Sequence, residues 1–198
     1  MGEIVVVEQL SLDGVMQAPG SPDEDTRGDF RYGGWARPYA DHVAAATMGK
    51  GMGEDGAMLF GRRTYVSFHG FWARQTDGNP YTEVLNRKTK YVVSRTLTEP
   101  LPWQNSVLVN GEVADAVAKL KAEVDGALVV LGSGMLVRAL AAAGLVDEYV
   151  LSIHPLALGA GTKLFGEGAA AHRAMTLADT VTTTTGVIIA RYRPAVTG

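Results

Sequence analysis

No cysteine occurs among the 198 residues, which excludes disulfide frameworks, thiol nucleophiles and thiolate metal sites together. Positive charge is not in excess either. Against 21 acidic residues there are 18 basic ones, a net charge of −3, so the chain offers no electrostatic footprint for DNA and nucleic-acid binding is not expected. No apolar run approaches the roughly 18 residues of a membrane span, and Met1 to Leu10 lack the basic start of an export signal. The expectation is a soluble cytoplasmic protein with no membrane partner. The 24 glycines follow no period, so they mark turns and close backbone approaches, not a fibrous repeat. With 46% apolar and 20% charged residues, the chain reads as one globular domain over residues 1–198.

Apolar runs bounded by glycine, proline or polar turns alternate with helical patterns, the signature of an α/β domain with a mostly parallel sheet. Strands are predicted at Ile4–Leu10, Ala57–Phe60, Lys90–Ser94, Ser106–Val109, Ala127–Leu131 and Glu148–His154. A last pair, Thr180–Thr185 and Val187–Arg193, turns through Gly186 as an antiparallel hairpin. Helices are predicted at Arg62–Phe68, Thr82–Asn86, Val113–Val124 and Met135–Ala143. Another opens at Pro38 and ends near Met48, where Gly49, Gly51 and Gly53 break it. Val15 to Gly34 is a long irregular stretch of the kind that covers sites.

Two strand–turn–helix junctions carry chemistry. Gly61-Arg62-Arg63-Thr64 places two guanidinium groups and a hydroxyl at a helix start, where backbone N–H groups already favour an anion. Leu131-Gly132-Ser133-Gly134 repeats the layout, but Val137 stands where a dinucleotide fingerprint needs its third glycine, so a Rossmann site is disfavoured. Ser94-Arg95, at the end of another strand, supplies further donors. A ligand with more than one phosphate fits these sets. His42, His69, His154 and His172 show no metal-ligand spacing, and no nucleophile elbow is present, so neither a metal site nor a hydrolase is expected. Asp13 follows the first strand, where open α/β sheets bind ligands, and Asp41 falls on the helix reached next.

Taken together with Ser11-Leu12-Asp13-Gly14, Tyr91-Val92-Val93-Ser94-Arg95 and Leu158-Gly159-Ala160-Gly161-Thr162-Lys163-Leu164-Phe165-Gly166, these motifs resemble the dihydrofolate reductase-like fold, in the branch of the riboflavin-biosynthesis reductase (RibD C-terminal) domain. The resemblance spans nearly the whole chain. It implies a three-layer α/β fold, NADPH as cofactor, a small heterocyclic substrate and a homodimer. By this resemblance Gly61, Arg62, Arg63, Thr64, Ser94 and Arg95 hold the 2′-phosphate end of the cofactor. Leu131, Gly132, Ser133, Gly134, Met135 and Leu136 hold its pyrophosphate and nicotinamide side, and Thr162 adds a hydroxyl. Asp41 and Asp13 are the candidate catalytic carboxylates, and burial is expected to raise their pKa. Trp35, Tyr39 and Ser152 line the acceptor. Asp41 sits one residue farther from Trp35 than the folate reductases' carboxylate, and Leu131 stands where the riboflavin branch commonly has glutamate.

The expected activity is hydride transfer from NADPH to a pterin- or pyrimidine-type heterocycle or its ribosyl derivative. The alternative is an NADP(H)-binding or ligand-sequestering protein without turnover.

Overall fold

A computed structural model describes residues 2–53, 56–76, 78–166 and 174–195, the side chains of 48–53 excepted. His172 lies outside them. The chain forms two compact units, Met1–Val5 with Met48–Val146, and Val6–Thr47 with Asp147–Gly198. Strand β1 (Glu3–Ser11) and helix α1 (His42–Gly53) contribute residues to both.

The first unit is a set of βα repeats: β2 (Gly56–Gly61), α2 (Arg62–Trp72), α3 (Pro80–Arg87), β3 (Lys90–Val93), β4 (Ser106–Val109), α4 (Val113–Glu123), β5 (Ala127–Leu131) and α5 (Gly134–Ala142). Its strands order β4-β3-β2-β5, with β2 parallel to both β3 and β5, and β3 parallel to β4. Parallel strands covered by helices lose both faces to the interior. Ala57, Met58, Leu59 and Phe60 are accordingly all buried, as are Leu128 to Leu131. Gly56 is required where β2 starts, since a Cβ there would sit 2.2 Å from the Ala127 carbonyl oxygen. Lys90 is fully buried with its ammonium donating to the carbonyls of Leu85, Asn86 and Lys88 at 2.8, 3.2 and 2.7 Å. It thereby caps the end of α3, 4.7 Å from the centre of the Trp103 ring, and burial pushes its pKa down to about 8.

The second unit holds the rest of β1 with β6 (Glu148–His154), β7 (Met175–Thr182) and β8 (Ile188–Pro194), in the order β1-β6-β8-β7. β8 runs antiparallel to both β6 and β7. The fold class is therefore the expected one, a three-layer α/β fold with a mixed, mostly parallel sheet and a C-terminal antiparallel hairpin. The hairpin strands begin and end elsewhere than expected. Thr183 and Thr185 belong to the turn: Thr183 Oγ1 accepts from the Val187 amide at 3.0 Å, and Thr185 Oγ1 donates to the Tyr39 carbonyl at 2.7 Å. Hydroxyl bonding to backbone outcompetes the strand preference of threonine here.

Two further expectations need correcting. Pro38 lies in a separate 3-10 turn, Arg37–Tyr39, and α1 starts after Asp41, whose Oδ1 accepts from the Ala44 amide at 2.7 Å. The helix then continues to Gly53, because a glycine within a helix costs only about 1 kcal/mol and does not by itself end it. The Val15–Gly34 stretch has apolar packing of its own. Val15, Ala18 and Phe30 form a small core with Trp35 and Ala36, against which Leu156 and Leu158 pack. Among the described residues no helix is long and apolar enough to cross a membrane.

Candidate functional site

In the first unit, three predicted segments follow the carboxyl ends of three neighbouring parallel strands. Gly61 closes β2 and pairs with Val93 at the end of β3, so Arg62 and Ser94 emerge side by side. On the other flank β5 delivers Gly132 and Ser133. The Gly61 amide donates to Ser133 Oγ at 3.0 Å. At Gly132, φ is +61°, and a Cβ there would lie 3.2 Å from Thr64 Cγ2. The two turns are thus packed against each other, with Thr64 of α2 beside Gly132 and Leu136 of α5 beside Gly61.

Those helix starts share a chemical peculiarity. α1 and α3 carry side-chain caps, from Asp41 and from Asn79 Oδ1 to the Tyr81 amide at 2.9 Å. α2 and α5 have neither a side-chain cap nor an acidic residue in the first turn. Their leading N–H groups and the positive ends of their dipoles face no negative charge from the chain's own first turns. Arg62 and Arg63 are exposed beside them, and Thr64 is half-buried. A multiply charged phosphate ligand fits this donor set.

The remaining members of the set differ in what they offer. Ser94 is buried, and its Oγ accepts from the amides of Thr96 and Leu97 at 3.1 and 3.0 Å, leaving its proton to donate. Arg95 lies 3.9 Å from Glu112 with both side chains exposed, a pair worth little in water. Leu131 and Leu136 are buried, so only their backbone is available. Met135 is 74% exposed and lays an apolar surface at the start of α5. Gly134 is the first residue of α5.

The other predicted residues lie in the second unit. Asp13 accepts from Ser11 Oγ at 2.7 Å and from the amides of Leu158 and Gly159 at 3.0 and 2.8 Å. These bonds, the Ser11 hydroxyl first, pull its pKa down to about 2. Asp41 Oδ2 accepts from the Thr184 amide and hydroxyl at 2.7 and 2.8 Å, while Oδ1 caps α1. The Ala44 amide and then Thr184 hold its pKa below the usual carboxylate range. Both shifts run opposite to the upward ones expected, because neither carboxyl is buried and each accepts several hydrogen bonds. Thr162 is exposed, and its amide and hydroxyl both donate to Gln17 Oε1, at 2.9 and 3.0 Å.

Trp35 is buried, with its indole N–H donating to the Gln17 carbonyl at 2.7 Å. Tyr39 is half-buried, and Ser152 is buried on β6. Both aromatics meet His154, which has no metal-ligand spacing. The His154 ring stands edge-to-face with Trp35, centroids 5.2 Å apart at 90°, and with Tyr39, 5.5 Å apart at 74°. The available signal was strand periodicity, since His154 lies two residues beyond Ser152 and so shares its face of β6. Among the described residues no group of His, Asp and Glu is arranged to hold a metal ion.

Residues 3–189 match the model of the RibD C-terminal domain, and the chain belongs to that family. Over 111 residues it is 32% identical to the uncharacterized protein YyaP of Bacillus subtilis (strain 168), an alignment spanning 54% of this chain and 58% of that relative's length. Solved structures with the same fold include a protein from Shewanella sp. PV-4 named for riboflavin biosynthesis, with a TM-score of 0.71, 23% identity, and coverage of 98% of this chain and 99% of that one. A pyrimidine reductase-like protein of Corynebacterium diphtheriae aligns with a TM-score of 0.66 and 14% identity, over 98% and 92% of the two chains. RibD of Acinetobacter baumannii aligns at 0.63 and 15%, with 98% of this chain covering 58% of that one.

Proposed function

We propose that the protein is an NADPH-dependent oxidoreductase that reduces a planar heterocycle of pterin or pyrimidine type, free or ribosylated. The observation that carries this reading is the junction of Gly61 with Ser133, which packs two uncapped helix starts together beside Arg62 and Arg63. Family membership supports the reductase class.

Arg62 and Arg63 would hold the 2′-phosphate, with the Ser94 hydroxyl and Arg95 as further donors. The first N–H groups of α2 and α5 would take the pyrophosphate, and Met135 would cover the nicotinamide side. NADPH, when bound, supplies the hydride. The chain's own contribution is to fix that donor, orient the acceptor and exclude water.

Asp13 and Asp41, with their pKa values held down, are ionised at neutral pH. Each can accept a hydrogen bond from an acceptor ring, but neither holds a proton to give it. Trp35, Tyr39 and Ser152 would line the acceptor, and Thr162 would offer its hydroxyl to the cofactor. The engagement of each carboxylate by three protein donors favours one second reading, binding of NADP(H) without turnover. Absorbance of NADPH, followed with pterins and aminopyrimidines as acceptors, separates the two. Oxidation establishes the reductase, tight binding without oxidation establishes the second reading, and absence of NADPH binding rejects both.

A further inference from the structure

His154 is 4% exposed, yet neither Nδ1 nor Nε2 has a hydrogen-bond partner among the described residues. Groups this well buried are nearly always paired, and leaving one unpaired is destabilising. Burial also pushes its pKa down to about 4, so at neutral pH the ring is uncharged, with one N–H and one bare nitrogen. The N–H can rest against an aromatic face, as the perpendicular Trp35 and Tyr39 rings allow, but the bare nitrogen finds no such substitute.

The walls of this box differ in how they are held. Trp35 is fixed in the small core and by its bond to Gln17. Tyr39 ends an exposed three-residue turn, tied through its carbonyl to Thr185 Oγ1, while its side chain is only half-buried. The Tyr39 ring is therefore the less restrained of the two rings against the imidazole, and it can turn without breaking that carbonyl tie.

We propose that His154 is the polar anchor of the acceptor site, its imidazole hydrogen-bonding the edge of a pyrimidinone ring, free or fused within a pterin, once the Tyr39 ring swings aside. The proposal rests on the reductase reading above and adds the residue that selects the acceptor. A pyrimidinone edge carries both ring N–H and carbonyl groups, so it complements a neutral imidazole in either tautomer. It also stacks on aromatic rings, for which Trp35 and the displaced Tyr39 provide surface. Purely apolar rings would leave the imidazole as unpaired as before.

The test uses protein saturated with NADP+ and 13C-labelled at histidine, with 6-methylpterin and 5,6-diaminouracil as the two probes. The His154→Gln spectrum identifies the His154 ring signal. On addition of a probe, that signal is expected to move while those of His42 and His69 stay in place. His154→Phe should weaken the bound probe about tenfold or more, the worth of one neutral hydrogen bond, and His154→Gln should restore part of the loss. Response to the pterin alone or to the pyrimidine alone identifies the form of the ring and sustains the proposal. A probe that binds with the His154 signal unmoved and equal affinity for His154→Phe overturns it, as does binding of neither probe. Affinity for NADP+ is measured in the same samples and is expected to be unchanged by both variants. Its absence from the wild-type protein would instead overturn the reductase reading itself.

Discussion

The Gly61 amide and the Ser133 hydroxyl, 72 positions apart in the chain, meet at 3.0 Å and lock together the turns that follow β2 and β5. Ser133 does this from a left-handed backbone conformation, φ +67° and ψ +43°. A serine there carries about 1–2 kcal/mol of backbone strain that glycine would not. Retaining a strained serine is consistent with the hydroxyl having a task.

Substitution at this position separates the two effects. Ser133→Ala keeps the strain and loses the bond, so it should lower unfolding free energy by about 1 kcal/mol or more. Ser133→Gly loses the bond and relieves the strain, and should be the milder change. Urea melts of the three proteins check the order. A glycine variant less stable than the alanine one contradicts the local account.

Asp41 is argued to serve both the fold and the acceptor. Asp41→Asn retains one carbonyl oxygen for the Ala44 or Thr184 donors but not both sets, so a modest loss of thermal stability is expected. If the carboxylate also orients the acceptor, turnover should fall while affinity for NADPH stays nearly constant. Steady-state kinetics beside a cofactor titration measures this. Reduced stability with unchanged turnover leaves Asp41 as a cap alone.

His154 makes stability depend on acid. Its folded pKa of about 4 lies below the unfolded value near 6.5, so between those pH values the unfolded chain binds more protons and stability rises with pH. The contribution is complete above about pH 6.5 and fades as pH falls towards 4, by as much as about 3 kcal/mol. His154→Phe should flatten that part of the profile in denaturant melts. An unchanged slope would show that the ring is free to take up a proton while folded.

Glu8 acts with the opposite sign. It lies on β1 with 5% exposure and an Oε1 that has no partner among the described residues, and burial, reinforced by Glu24, holds its pKa well above the ordinary value. The folded state therefore retains a proton that the unfolded chain has released above about pH 4.5, so stability falls as pH rises. Glu8→Gln should raise the melting temperature at pH 8 and change it little at pH 4. A variant less stable at pH 8 would mean that the carboxylate has a favourable partner.

Strand positions were legible because β2, β4, β5 and β6 are apolar runs punctuated by glycine, asparagine or proline, and the two strand–turn–helix junctions because glycine, arginine and serine follow those runs directly. That the turns after β2 and β5 touch through Ser133 was not legible, since it depends on strand order across 72 residues. The Asp13 and Asp41 shifts were hidden only in part: Ser11 and Ala44, the first cause of each, are two and three residues away, whereas Leu158, Gly159 and Thr184 are more than 140. His154 went unread because its character comes from Trp35 and Tyr39, whose rings are brought to it only by folding.

The central claim is that the turns after β2, β3 and β5 grip a 2′-phosphorylated dinucleotide. Calorimetric titration of NADPH and NADH into the wild-type protein and into the Arg62→Ala/Arg63→Ala double variant tests it most directly. The account predicts tighter binding of NADPH by the wild type, and a loss in the variant that is at least about tenfold larger for NADPH than for NADH. Equal losses for the two nucleotides, or no saturable heat from NADPH in the wild type, would contradict it.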